Sequence, residues 1–442
     1  MRRVYQKRAY GSAPIRQNFW PTTVDELPPD PEAEGDINCD VVIVGGGFTG
    51  LNAAHELASA GKDVVVIEAE HIGFGASGRN GGFCCLGGDK VTQKTLIRRH
   101  GAEEAATYRK AQRAAIDHVA ALLEAHGIDA DTHSQGETWL AHRTKEGATL
   151  QEEAREISEL WGVKAEVIPK SDLAAAGLNS PAFHGAVTTP LGFALNPAKY
   201  LHGLARVARG AGARIFAGSP VAQISHEGRW TLITPKARIR SKKLVMATNG
   251  YGSDDIPPWM ADRYMPAQSA ILLTRPLTED EIASQGFSSA QMCYDSRRLL
   301  HYFRLLPDRR FLFGMRGSTS ASAMAARAFK RKIRHDFEAM FPAWAHVETP
   351  NYWSGFVCMT RSLTPFAGPL SPLSDAWGAF GFHGNGVSMG SYSGRLVADM
   401  ILGQTARPRP AFMSATPRKF GLGRFRRFAL IPPYLAYGLM DR

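Results

Sequence analysis

The stretch "DVVIVGGGFTG", residues 40–50, joins a continuous apolar run to glycines at positions 45, 47 and 50. Four apolar β-branched residues in a row, Val41–Val44, are the mark of a buried parallel strand. After the glycines, "LNAAHELASAGK" places Leu51, Ala54, Leu57 and Ala58 on one helical face, and Gly61 is a stop signal. "DVVVIE" (63–68) then reads as a second buried strand ending in an acid. In such a strand–turn–helix unit Gly45 makes the tight turn, Gly47 lets a pyrophosphate approach the backbone at the positive helix terminus, and Gly50 lets helix and strand pack closely. Glu68 follows Gly45 by 23 residues, close to where an acid for ribose hydroxyls belongs. The unit predicts dinucleotide binding and, by itself, leaves NAD and FAD both open.

The rest of the chain bounds the answer. Its 442 residues suffice for two domains, with 44% hydrophobic and 21% charged residues, as in a globular protein. No run of 18 apolar residues predicts a membrane span, and "MRRVYQKRAYGSAP" lacks the apolar core of a signal peptide. The five cysteines, Cys39, Cys84, Cys85, Cys293 and Cys358, have no metal-ligand spacing, so reduced thiols in a cytoplasmic protein and no metal site are expected. The net charge of +11 includes Arg2, Arg3, Lys7, Arg8 and a tail, "RKFGLGRFRRF" (418–428). The expected reading of that tail is a solvated segment whose aromatics pack on the body. A weak contact with an anionic membrane surface, which would place the protein at the inner membrane, is the alternative, and nucleic-acid binding is not expected.

After Glu68 comes "AEHIGFGASGRNGGFCCLGG" (69–88), with seven glycines between 73 and 88. So much glycine opposes helix or strand and suits backbone lying against a flat ligand, with Ser77, Arg79 and Asn80 as polar contacts. Together with "GFHGNGVSMGSYSGRLVADMILG" (381–403), these motifs resemble the D-amino-acid oxidase superfamily of FAD oxidoreductases, most closely its γ-glutamylputrescine oxidoreductase-like branch. Trp20, "ATNGY" (247–251), "YFRLLPDRR" (302–310), "TRSLTPFAGP" (360–369) and the final "AYGLMDR" extend the resemblance over nearly the whole chain.

That resemblance implies an α/β fold: a Rossmann-type FAD-binding domain with a mixed-sheet α+β substrate domain of glycine oxidase type. The expected division is an arm and linker at 1–36, including the proline- and acid-rich 25–36; a discontinuous FAD domain at 37–130, 186–254 and 350–405; a substrate domain at 131–185 and 255–349; and a basic-aromatic tail at 406–442. Local patterns agree. Asn196 and Pro197 start a helix that leads into the strand "ARIFAG", and "KKLVMATNG" (242–250) is a buried strand ending in a loop. Leu396, Val397, Met400 and Ile401 share a helical face. "SAILLTRPL" (269–277), "LLHYFRLL" (299–306) and "RRFLFGMRG" (309–317) read as strands, and "FKRKIRHDFEAMF" (329–341) as an amphipathic helix.

The resemblance also implies oxidation of a primary or secondary amine, an amino acid or a polyamine conjugate such as γ-glutamylputrescine, by hydride transfer to flavin N5 and hydrolysis of the imine. A dehydrogenase that passes electrons to a membrane quinone or carrier is the alternative, and a flavin-containing nucleic-acid or regulatory protein a lesser one. FAD is expected to be noncovalent, because Cys358 in "VCMT" is one residue out of place for a covalent link. The expected FAD set is Gly45, Gly47, Phe48, Thr49, Gly50, Glu68, Ala69, Ser77, Arg79, Asn80, Gly81, Gly82, Val221, Thr248, Gly384, Asn385, Gly386 and Val387. Tyr302, Arg304 and His383 are the expected catalytic residues, alternation placing Tyr302 and Arg304 on one strand face and His301 on the other. Leu312 stands where oxidase relatives carry an oxygen-activating lysine, and "HGNGV" lacks their carboxylate-binding lysine. Both point away from a small sarcosine-like substrate, and Leu312 points toward slow to moderate reoxidation by oxygen, unless Arg310 or Arg316 supplies the charge. Cys84 and Cys85 read as small buried hydrophobes.

Overall fold

The computed structural model describes residues 1–25 and 29–441. In it the apolar run at 40–44 is the inner half of a longer strand, Gly35–Val44. Parallel neighbours flank it on both sides, with Val41 opposite Val64 and Val44 opposite Met246. The sheet runs in the order 366–369, 376–380, 237–246, 35–44, 64–67, 214–216. Its first pair is antiparallel and the rest are parallel. Strands 230–233 and 223–226 extend antiparallel from 237–246.

Helices Phe48–Ser59, Pro197–Gly210, Ser388–Leu402 and Ala102–Ala125 bury one apolar core with this sheet, through Leu51, Leu57, Leu201, Leu204, Val119 and Leu396. Asn196 caps its helix, its side-chain oxygen accepting from Ala198 and Lys199 N–H. Helices 48–59 and 388–402 meet almost backbone to backbone. A Cβ at Gly394 would lie 2.1 Å from the Thr49 carbonyl oxygen, and the Thr49 hydroxyl donates to the Gly390 carbonyl at 2.8 Å. The other side of the sheet packs Val42, Val65 and Met246 against Tyr5 and Tyr10 of the N-terminal arm. Of the linker expected at 25–36, residues 26–28 lie outside the described residues. Ala33 is buried and Gly35 and Asp36 already belong to the first strand.

A second sheet runs in the order 351–359, 265–273, 311–318, 301–305, 292–295, 137–140, 185–189, 166–169. Its pairs are antiparallel except 292–295 with 137–140. One face packs Phe303, Phe311 and Phe313 against Ile333 and Phe337 of the helix Ala323–Met340. The other faces the first domain. Strands 185–189 and 351–359 are members of this sheet, so the expected FAD-domain starts at 186 and 350 each take in a strand of the substrate sheet. Short apolar strands from the two sheets look alike in sequence, because both are largely buried. The tail is ordered as a 3-10 segment, Gly423–Leu430, and a helix, Ile431–Met440.

Candidate active site

A cavity of about 460 Å³ runs from the glycine turn to the inner face of the second sheet. Gly45, Gly47, Phe48 and Thr49 line its first end, with Glu68, Ala69 and Val221 beside them. Gly45 has a φ of +115° and a Cβ there would lie 2.8 Å from the Ala247 carbonyl oxygen, so the turn admits only glycine. The Glu68 carboxylate accepts from Gly46 N–H at 2.8 Å, and Ser77 Oγ accepts from Phe48 N–H at 3.0 Å at the start of the helix. Gly50 and Gly82 do not line the cavity and act through packing. A Cβ on Gly50 would sit 2.0 Å from the Gly45 oxygen, and one on Gly82 1.9 Å from the Leu195 oxygen.

The glycine-rich segment 73–88 is pinned from several directions. Trp20 Nε1 donates to the Asn80 carbonyl at 2.8 Å and Trp353 Nε1 to the Arg79 carbonyl at 2.9 Å. Asn385 Nδ2 donates to the Cys85 carbonyl at 2.6 Å. Arg79, Asn80 and Gly81 line the cavity, as do Thr248 and the Gly384–Val387 turn. His383 sits at a φ of +53° with 2% of its surface exposed, and neither ring nitrogen is paired by a hydrogen bond. Burial, then repulsion from Lys90 and Arg316, pushes its imidazole down to about 3, so it is neutral.

The second sheet contributes side chains. The Tyr302 ring lies across Gly314 of the neighbouring strand, where a Cβ would come within 2.1 Å of Tyr302 Cζ. Its hydroxyl is 3.1 Å from Ser269 Oγ. Arg316 lines the cavity and donates from Nη2 to the His383 carbonyl at 2.9 Å, its Nε left unpaired. Glu137 and Tyr294 face the same space. Burial raises the Glu137 carboxyl to about 7 against the opposing pull of Cys85 and Lys90. Lys90 is exposed and lines the cavity. Repulsion from Arg316 first and burial second bring its ammonium down to about 7.

Arg304, expected to be catalytic, stands outside the cavity. It shares a face with Tyr302, as alternation requires, but it is fully buried behind the glycine-rich loop and does not line the cavity. Nε donates to the Gly81 carbonyl at 2.9 Å, Nη2 to Leu195 O at 2.7 Å, and Nη1 to His133 Nε2 at 2.9 Å. An arginine can only donate, so His133 carries its proton on Nδ1, which reaches Asp131 O at 2.7 Å. Two residues along a strand move a side chain about 6.6 Å, which takes Arg304 past the end of the cavity. Leu312 is likewise buried, among Trp20, Leu273 and Trp353. Arg310 pairs with Asp308 outside the cavity, leaving Arg316 as the cation on that strand's inner face. Cys84 is fully buried as expected, but Cys85 lines the cavity. His301 lies on the opposite face, between Asp295 and Asp336 at 2.8 and 3.1 Å.

Arg79 Nη2, Thr248 Oγ1, Arg316 Nε and the two His383 nitrogens are buried polar atoms without partners, and all five belong to residues lining this cavity. Orphaned groups converging on a glycine cradle fit a large polar cofactor. The model of the family described as DAO, FAD dependent oxidoreductase, matches residues 40–400. The chain belongs to that family. The gamma-glutamylputrescine oxidoreductase of Escherichia coli (strain K12) is 30% identical over 426 residues, 96% of this chain and 98% of the relative. A Rhizobium meliloti (strain 1021) protein named "Probable oxidoreductase OrdL" is also 30% identical, over 96% of this chain and 97% of its own. Among solved structures, glycine oxidase from Geobacillus kaustophilus superposes with a TM-score of 0.70 at 20% identity, covering 87% of this chain and 100% of that one. L-proline dehydrogenase from P. horikoshii gives 0.67 at 21%, covering 91% and 99%. The fold is thus that of the D-amino-acid oxidase family, and the protein is an FAD-dependent oxidoreductase acting on amines or amino acids. Among the described residues no helix is long and apolar enough to cross a membrane.

Sequence reasoning left Lys90, Glu137 and Tyr294 out of the site and named Arg316 only as a substitute charge. Alternation on strands 137–140 and 292–295 would have put Glu137 and Tyr294 each on a definite face. Only the parallel pairing of those strands, Met292 opposite Glu137, says which face is the cavity's.

Proposed function

We propose that the substrate is an amine conjugate with an amino-acid-like head, of the γ-glutamyl amine type, oxidised at its far amino group. The observation that carries this reading is that the cavity lining brings two carboxylates, Asp89 and Glu137, together with two cations, Lys90 and Arg316. A head bearing both ammonium and carboxylate matches that set, whereas a simple diamine leaves Arg316 without a carboxylate partner in a site that shields charge poorly from charge. The named activity of the Escherichia coli relative is consistent with it.

FAD, when bound, supplies the hydride acceptor for oxidation of the amine carbon. The Gly45–Gly50 turn and helix start hold its pyrophosphate, Glu68 its ribose, and Arg79, Thr248 and Gly384–Val387 its remaining polar edges. Tyr302, oriented by Ser269 and seated on Gly314, positions the reacting amine. His383 is neutral and accepts or donates a hydrogen bond without holding charge. Ile271, Trp353 and Phe356 exclude water along the same wall. Attachment of the cofactor is noncovalent in this reading, because burial pushes the Cys358 thiol up to about 12 and no base activates it.

Anaerobic mixing of purified protein with γ-glutamylputrescine, putrescine and sarcosine tests this. The γ-glutamyl amine is expected to bleach the flavin fastest. Sarcosine reducing it faster, or no difference between conjugate and free diamine, would overturn the head-group reading. Acid precipitation is expected to release FAD into the supernatant, and colour left in the pellet would refute noncovalent binding.

A further inference from the structure

Among the described residues ten large apolar side chains are exposed, and seven of them lie within Leu422–Met440. The helix Ile431–Met440 is inverted relative to an ordinary surface helix. Ile431, Leu435 and Leu439, four residues apart, point outward, the last two with 67% and 66% of their surface exposed. Its inner side carries the polar and aromatic groups. Tyr437 lies under the Arg298 guanidinium, and the Asp441 carboxylate accepts from the backbone N–H of Arg298 and Leu299, both at 2.9 Å. In the preceding segment Phe425 and Phe428 stack on each other and are half exposed.

This is not a loosely attached tail. Arg426 is fully buried, forked onto Asp254 at 2.7 and 2.8 Å and bonded to the Tyr264 carbonyl at 2.8 Å. The body therefore holds the segment firmly while its apolar side chains stay outside. Basic groups accompany them: Arg418 and Lys419 just before the segment and Arg424 within it are exposed, and the guanidinia of Arg424 and Arg427 lie 4.7 and 4.8 Å from the ring centres of Phe425 and Phe428. A rigid apolar strip with a basic margin matches the acyl boundary and headgroups of an anionic bilayer. A two-fold pairing of this face with itself would set the same cations against one another.

We propose that Leu422–Met440 is a docking surface for an anionic lipid bilayer. It lies beside the substrate end of the cavity, since Leu300, next to the backbone that Asp441 holds, lines that cavity.

The test is cosedimentation of the FAD-loaded protein with vesicles of phosphatidylglycerol and phosphatidylcholine in equal parts, and of phosphatidylcholine alone. Binding to the anionic vesicles, weakened by salt and absent from the neutral ones, is expected. Leu435→Ser with Leu439→Ser, and separately Arg418→Glu, Lys419→Glu and Arg424→Glu together, should each lower partitioning at least tenfold. Both sets replace exposed side chains, so FAD content, melting temperature and amine-dependent flavin reduction should stay at wild-type values. Equal binding by variants and wild type, or no binding by wild type, overturns the proposal. So does a wild-type dimer that binds no vesicles and that Leu435→Ser with Leu439→Ser dissociates, which would show that a second copy covers the face.

Discussion

The two ends of the cavity are made of different material. At the nucleotide end the chain offers mainly backbone: three spaced glycines and a helix start within one continuous stretch of about 30 residues, with a carbonyl from Ala247 brought against Gly45. At the substrate end it offers side chains, Glu137, Tyr294, Tyr302 and Arg316, carried by four strands of a mostly antiparallel sheet. A backbone site tolerates no substituent and is insensitive to charge. A side-chain site tolerates exchange of residues and is governed by charge and pH. Substitutions at the two ends should therefore fail differently.

The largest effect is expected at Gly47→Val. The branched side chain would occupy the pyrophosphate's place and meet Ser77 Oγ, 2.7 Å from the position of a Cβ. The purified variant should be folded and colourless. A yellow Gly47→Val protein with normal FAD content would break the contrast at its root.

Arg304→Ala comes next and tests the seam between the two ends. It leaves the buried carbonyls of Gly81 and Leu195 without their donor, at a cost of about 2–5 kcal/mol. A lower thermal midpoint and weaker FAD retention are expected. Unchanged stability with slower amine oxidation would return Arg304 to the substrate.

At the substrate end, Arg316→Ala should lower kcat/KM for a carboxylate-bearing amine by about 100-fold, or about 2.7 kcal/mol, with FAD content intact. Putrescine, which has no carboxylate, should lose much less. Equal losses for both substrates would mean that Arg316 serves the cofactor and not the head group.

Glu137 sharpens the contrast through pH. Its carboxyl titrates at about 7, so it is protonated and unable to pair with an ammonium below that value. The kcat/KM of the wild type should fall as pH is lowered through about 7, approaching tenfold per unit. Glu137→Gln should be slower above pH 7 and lack this limb, and a limb that persists in the variant would assign it to another group such as the substrate amine. The smallest effect is expected from Tyr302→Phe, which removes one hydrogen bond and slows flavin reduction about 3- to 10-fold. A stopped-flow trace indistinguishable from wild type would remove Tyr302 from substrate positioning.

The same difference in material decides how much was legible in the sequence. Gly45, Gly47 and Gly50 announce themselves because their conformational and contact demands fall within a local pattern. So do the strands at 40–44 and 63–68 and the helix capped by Asn196. Arg304 shows the limit of that reasoning: alternation correctly gives its face, but depth along the strand depends on where the cavity ends. Glu137 is further out of reach, because its strand meets 292–295 across some 150 residues of chain. The strand at 351–359 pairs with 265–273 in the second sheet and not with the FAD-domain sheet, for a related reason: a strand's own residues do not say which neighbours it pairs with. Lys90 carried no signal at all; its meaning comes from Arg316 lying near it in space.

The hydrogen bond from Thr49 to the Gly390 carbonyl spans 341 residues. A ribosome adding about 5–20 residues per second needs about 20–70 s to cover that distance. During that interval the nascent chain already carries its phosphate turn and first helix, while the helix that packs against them has yet to be synthesised. A chain interrupted anywhere before Ser388 lacks that partner, however complete its glycine motif.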